Sequence, residues 1–125
     1  ISASVPRDQF VGEVPRLLAD IQANLYREAK ARLDGNIVTG IGSFGELVDY
    51  FGAAAADDDE AAEFKGWVRA SWSRPSGEAL DKIDAQLKTL ELTLRNAPAD
   101  QPSSFGPCLF TGEPGAQDIL ISRAY

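Results

Sequence analysis

The chain has no histidine, no methionine and a single cysteine among its 125 residues. Each absence removes a class of protein. Without histidine, the side chain that most often serves as general base near neutral pH is missing, and so is the imidazole ligand of most zinc sites. Histidine-based catalytic triads and zinc proteases are excluded together. One thiol, Cys108, cannot form an internal disulfide, so cysteine usage points to no oxidising compartment. No apolar run approaches the ~20 residues of a membrane span. The opening Ile1-Ser2-Ala3-Ser4-Val5 lacks the basic start and long apolar stretch of a signal peptide. Methionine is missing even at position 1, which makes a segment of a longer protein the expected origin.

Clustered positive charge is lacking too. The net charge is −7, and its placement says more than its size. Between Glu46 and Glu63 stand seven acidic residues (Glu46, Asp49, Asp57, Asp58, Asp59, Glu60, Glu63) and no basic one, while the rest of the chain balances 12 acidic against 12 basic. Gripping nucleic-acid phosphates needs grouped Lys and Arg that displace counterions. The acidic block reads as a solvated helix tail or loop. Three adjacent aspartates do not have the alternating ligand spacing and turn glycine of a calcium loop.

What remains is an ordinary globular composition, 44% hydrophobic, in a length suited to one domain spanning residues 1–125. After an extended lead-in, Val14, Leu17, Leu18, Ile21, Leu25 and Ala29 recur at helical spacing and predict an amphipathic helix beginning near Phe10. Pro15 is expected in its first turn and Gly35 just past its end. Ile37 to Ile41 reads as a short strand. Ser43-Phe44-Gly45-Glu46 is a capping box opening a second helix, and Phe64 to Trp72 is a strand. Ser76 is expected to cap a third helix carrying Leu80, Ile83 and Leu87. A strand at Leu92 to Arg95 and a Pro/Ser-rich loop lead to a closing hairpin turned by Gly112 to Gly115, its last run being Ile119-Leu120-Ile121. The pattern predicts an α/β two-layer sandwich: a mixed sheet of about four strands, about three helices, and a terminal β-hairpin. Trp67 and Trp72, beside Val68 and Ala70, are better read as packing residues than as base-stacking ones.

Four blocks in order carry a family resemblance over about Val5 to Tyr125. These are Val14-Pro15-Arg16-Leu17-Leu18 with Ile21-Gln22-Ala23-Asn24-Leu25; Phe64 to Trp72; Leu92 to Pro98; and Gly106-Pro107-Cys108-Leu109-Phe110-Thr111-Gly112-Glu113-Pro114 followed by a strand ending Ala124-Tyr125. The chain resembles the C-terminal domain of prolyl-tRNA synthetases of the archaeal and eukaryotic type, which some bacteria also carry. The resemblance implies that residues 1–9 are a linker from a preceding domain. Domains of this family often hold zinc on four cysteines, and the aligned positions here are Ser73, Ala79, Cys108 and Thr111. Only one of the four is cysteine, so no metal is expected; Cys108 reads as a small, partly buried apolar residue, with no neighbour in sequence to make it reactive.

The resemblance also implies that Tyr125, with Arg123 close by, lies near the catalytic domain's aminoacylation pocket; the alternative is that Tyr125 only anchors the last strand, at or near the sheet's edge. No catalytic residue is assigned. The expected function is that of a non-catalytic domain of a class II proline–tRNA ligase, inactive alone, docking on and stabilising the catalytic domain. The whole enzyme would be a cytoplasmic homodimer using ATP and Mg2+, reaching its tRNA through other domains and touching neither membrane nor DNA. The alternative is a free-standing, translation-related interaction module of similar fold. An independent small enzyme is disfavoured, because no nucleophile–base pair and no phosphate-cradling glycine loop is present.

Overall fold

Along β2 (Trp67–Trp72) burial alternates strictly, with Val68, Ala70 and Trp72 buried and the residues between them half-buried. That period of two is the mark of a strand with one face in the core. The computed structural model describes residues 4–52 and 65–123, which divide into two compact units, Ile1–Gly35 and Asn36–Tyr125.

The first unit is α1 (Arg7–Gly35), a helix of 29 residues. It starts earlier than the apolar spacing implied. Phe10 N–H reaches the Pro6 carbonyl at 2.9 Å and Gln9 bonds Glu13 one turn on at 3.1 Å, so the polar residues before Phe10 are already helical. Pro6 therefore flanks the start, and Pro15 lies in the helix interior, contrary to the expected first-turn position. Arg32 in the last turn complements the helix dipole, and Lys30 pairs with Asp34 at 2.6 Å.

The second unit is a four-stranded sheet with two helices in its core. β1 (Ile37–Val38) runs parallel to β2; β4 (Gln117–Arg123) is antiparallel both to β2 and to β3 (Leu92–Leu94), giving the order β1-β2-β4-β3. β1 stops at Val38, short of the predicted Ile41, because Gly40 takes a φ of 90° and turns the chain away. α2 (Phe44–Gly52) opens as expected, with Glu46 N–H on Ser43 Oγ, and contributes Leu47 and Phe51. α3 (Glu78–Thr89) contributes Ile83 and Leu87. Its cap is Gly77 without a side-chain hydrogen bond, so Ser76 does not cap it. These four helix residues join Val68, Ala70, Trp72, Leu92, Leu109, Ile119 and Ile121 in one buried cluster, the two-layer α/β arrangement.

The terminal hairpin is minimal. Leu109 and Phe110 form no strand; the turn is closed by a single bridge, Pro107 to Pro114, and by Cys108 N–H donating to the Glu113 carbonyl. Two prolines leave few N–H groups for a ladder at that point. β4 takes its partners elsewhere and lies one strand in from the edge, between β2 and β3. The acidic stretch from Asp57 to Glu63 lies outside the described residues.

Candidate functional site

Three of the four aligned metal positions meet at the end of β2. Cys108 is 1% exposed, and its thiol lies 3.8 Å from the Ser73 carbonyl oxygen. Burial pushes the thiol up, but hydrogen bonds with the Thr111 side chain and with the backbone at Ser73, Phe110 and Thr111 outweigh it, leaving Cys108 below its ordinary value. Thr111 thus faces the sulfur across the turn, which Gly112 N–H closes on the Cys108 carbonyl at 2.8 Å. Gly112 takes a φ of 73°, a conformation glycine adopts without penalty. Ala79 is an exposed residue in the first turn of α3 and offers no donor atom. One thiol and two hydroxyl residues do not make a tetrahedral zinc site, and no three His, Cys, Asp or Glu converge among the described residues. The donor set does not fit the metal.

Apolar contacts hold the turn. Leu109 is buried, and Leu109 N–H donates to the Ser71 carbonyl at 2.9 Å. Phe110 meets Trp72 edge-on at 5.7 Å between centroids, a geometry aromatic pairs favour, and Phe44 in a tilted contact at 5.9 Å. Trp72 accordingly belongs to the core, while Trp67 is half-buried.

On the other face of the sheet, a polar cluster appears that the sequence reading did not single out. Arg69 Nε donates to Asp118 Oδ2 at 2.9 Å and Nη1 to Asp100 Oδ2 at 3.2 Å, with a further bond to the Asp100 carbonyl. Ser71 Oγ donates to Asp118 Oδ1 at 3.0 Å and accepts from Gly106 N–H. Gln101 brackets the backbone of Asp118 by taking its N–H and donating to its carbonyl. The hydrogen bond to Asp118 raises Arg69 above its usual value, against the opposing effect of burial. With both carboxylate oxygens of Asp118 engaged, the cluster pins the loop before β4 onto the sheet and leaves no poised base. The signal was there in outline, since Arg69 and Ser71 alternate with apolar residues in β2; the register Ser71↔Asp118 that unites them was not. A cleft of about 270 Å³ opens beside it, between Thr39–Gly42 and Arg69–Ser71, with Gly106 and Pro107 at one side.

Arg123 closes β4 and points inward. Its Nη2 donates to the Phe51 carbonyl at 2.9 Å, at the C-terminal end of α2, while its buried Nε has no partner among the described residues. Arg95 is exposed yet bonds Ser122 Oγ and the Arg123 carbonyl. Tyr125 lies outside the described residues.

Comparison with known proteins decides the relationship. The chain is 44% identical over 119 residues to a proline–tRNA ligase of Novosphingobium aromaticivorans, covering 95% of this chain and 22% of the relative. It is 41% identical over 124 residues to the proline–tRNA ligase of Sphingomonas elodea, covering 99% of this chain and 23% of that protein. By sequence, this chain belongs with the C-terminal domain of proline–tRNA ligases. It spans about a fifth of the length of those ligases. No family model matches. Among solved structures, the prolyl-tRNA synthetase of Cryptosporidium parvum, complexed with L-proline and AMP, aligns over 97% of this chain and 23% of its own with a TM-score of 0.68. At 21% identity that likeness speaks for the fold of the synthetase domain and no further.

Proposed function

We propose that the chain is the non-catalytic C-terminal domain of a class II proline–tRNA ligase, which seats on the catalytic domain and steadies it. The observation that carries this reading is the match of nearly the whole chain, at 41–44% identity, to one fifth of ligases whose remainder lies elsewhere. In the intact enzyme, a homodimer in the cytoplasm, proline is activated with ATP and Mg2+ and passed to the tRNA 3′ end. The groups that hold proline, ATP and Mg2+ belong to the rest of the enzyme, and tRNA is gripped through other domains.

Within this domain, Arg123 acts as a clasp. Its guanidinium bonds the end of α2 and so ties the end of β4 to that helix. Tyr125 follows two residues later and projects a large, amphipathic ring toward the catalytic domain, where burial and a hydrogen bond from its hydroxyl supply contact area. Its contribution is positioning, in which a displacement of one ångström at the reacting centre costs up to about 100-fold in rate. Tyr125→Ala in the intact ligase is therefore expected to lower kcat/KM for aminoacylation on the order of tenfold or more with an unchanged melting temperature. Kinetics and melting curves both equal to the parent enzyme would reduce Tyr125 to a chain-end residue and remove the positioning role.

A further inference from the structure

We infer that the apolar stripe of α1 from Phe10 to Leu25 is the face that seats against the ligase chain preceding this domain, and that the contact ends there; this rests on the ligase reading above. No residue of α1 is buried. Phe10, Leu17, Leu18, Ile21 and Leu25 are between 39% and 63% exposed. At 100° per residue these five and Val14 fall within an arc of about 100°, the width of a face made for packing. Helices in water owe most of their stability to such a packed face, so a helix of 29 residues with an uncovered stripe is incomplete.

The stripe has a definite end. Beyond Leu25 the stripe continues only in the small Ala29, while Glu28 and Arg32 take its middle line and the same last turns carry the Lys30–Asp34 pair. The covered length is thus about 22 Å, at 1.5 Å per residue. Two arguments choose the occupant. A helix pairing with a second copy of itself needs apolar positions sustained over three or four heptads, and this stripe spans about two. The relatives, by contrast, carry about four-fifths of their length outside the matched domain. Covalent attachment makes docking onto that body intramolecular, at an effective concentration no separate partner matches.

Photo-crosslinking in the intact ligase tests this. Ile21→p-benzoylphenylalanine and, in a separate protein, Leu18→p-benzoylphenylalanine are irradiated, with Arg32→p-benzoylphenylalanine as the comparison. The expected result is an intramolecular adduct at position 21 or 18, at least tenfold above that at 32, with peptides preceding this domain. An adduct with residues 36–125, an adduct with a second copy, or no excess over position 32 at either site overturns the inference. Adducts are read by mass whatever the activity, so a failed role for Tyr125 in aminoacylation and a failed docking face give different results.

Discussion

Gly66 and Gly112 have nearly the same φ, 76° and 73°, yet alanine should be tolerated at one and not the other. Both substitutions place a Cβ in the left-handed region, at about 1–2 kcal/mol each, and both restrict the unfolded chain equally. At Gly112 the added methyl meets open space. At Gly66 it runs into the carbonyl oxygen of Asn36, which is backbone and cannot swing aside. That same oxygen accepts the Trp67 N–H at 2.8 Å, the bond that starts the parallel pairing of β1 with β2. Relieving the clash therefore loses a hydrogen bond worth about 1 kcal/mol and loosens β1 against its neighbour. Gly66→Ala should cost about 2 kcal/mol more than Gly112→Ala, with the larger total among the more damaging single substitutions. Urea unfolding followed by the fluorescence of Trp67 and Trp72 measures it, provided the two m-values agree. A difference under ~0.5 kcal/mol would refute the reasoning and show that β1 is not held through Asn36.

Asp118→Ala strips Arg69 of its best partner while leaving Asp100, so it should destabilise by about 2 kcal/mol, short of the ~3–5 for a fully stranded buried charge, as thermal unfolding would show. Protein purified without chelator should contain substoichiometric zinc by elemental analysis; one tightly held zinc per chain would contradict the misfit of Cys108, Ser73 and Thr111. The folded Cys108 thiol ionises below its ordinary 9.0, so the stability this adds is complete above that value and lost as pH falls through the folded-state pKa. Stability relative to Cys108→Ala should consequently rise from neutral pH toward pH 9.0, and a flat difference would count against the hydrogen bonds to sulfur. With no basic stripe and seven acids between Glu46 and Glu63, the domain alone should show no tRNA affinity at physiological salt, tested by filter binding; micromolar binding that weakens with added salt would reverse this.

Periodicity made most of the fold legible. The alternation of β2 and the spacing of Ile83 and Leu87 each state which face is buried, because a core demands it of every element that lines it, and the stripe of α1 marks the helix although none of its residues is buried. Boundaries were less legible where no core is at stake. Arg7 to Gln9 are helical through backbone hydrogen bonds and the Gln9–Glu13 contact, which leave no apolar mark. Ser76 has the right chemistry for a cap, yet Gly77 at a φ of 60° takes the position, a choice of backbone that side-chain propensity does not reveal.

The site was legible where it is a matter of residue identity and hidden where it is a matter of register. Counting cysteines was enough to doubt the metal, and the structure adds that Thr111 hydrogen-bonds the surviving sulfur while Phe110 fills space between Trp72 and Phe44. Arg69, Asp118 and Gln101 are far apart in sequence, and nothing local marks them as partners. They meet because β4 inserts between β2 and β3 with Ser71 opposite Asp118. A one-residue slip of β4 would turn Asp118 and Ser122 into the apolar cluster and Ile119 and Ile121 out of it. Asp118 is thus both a bonded partner and a register mark: burying a carboxylate among Val68, Ala70 and Ile83 costs far more than the alternative. The polar cluster thus helps define the sheet whose last strand runs to Arg123.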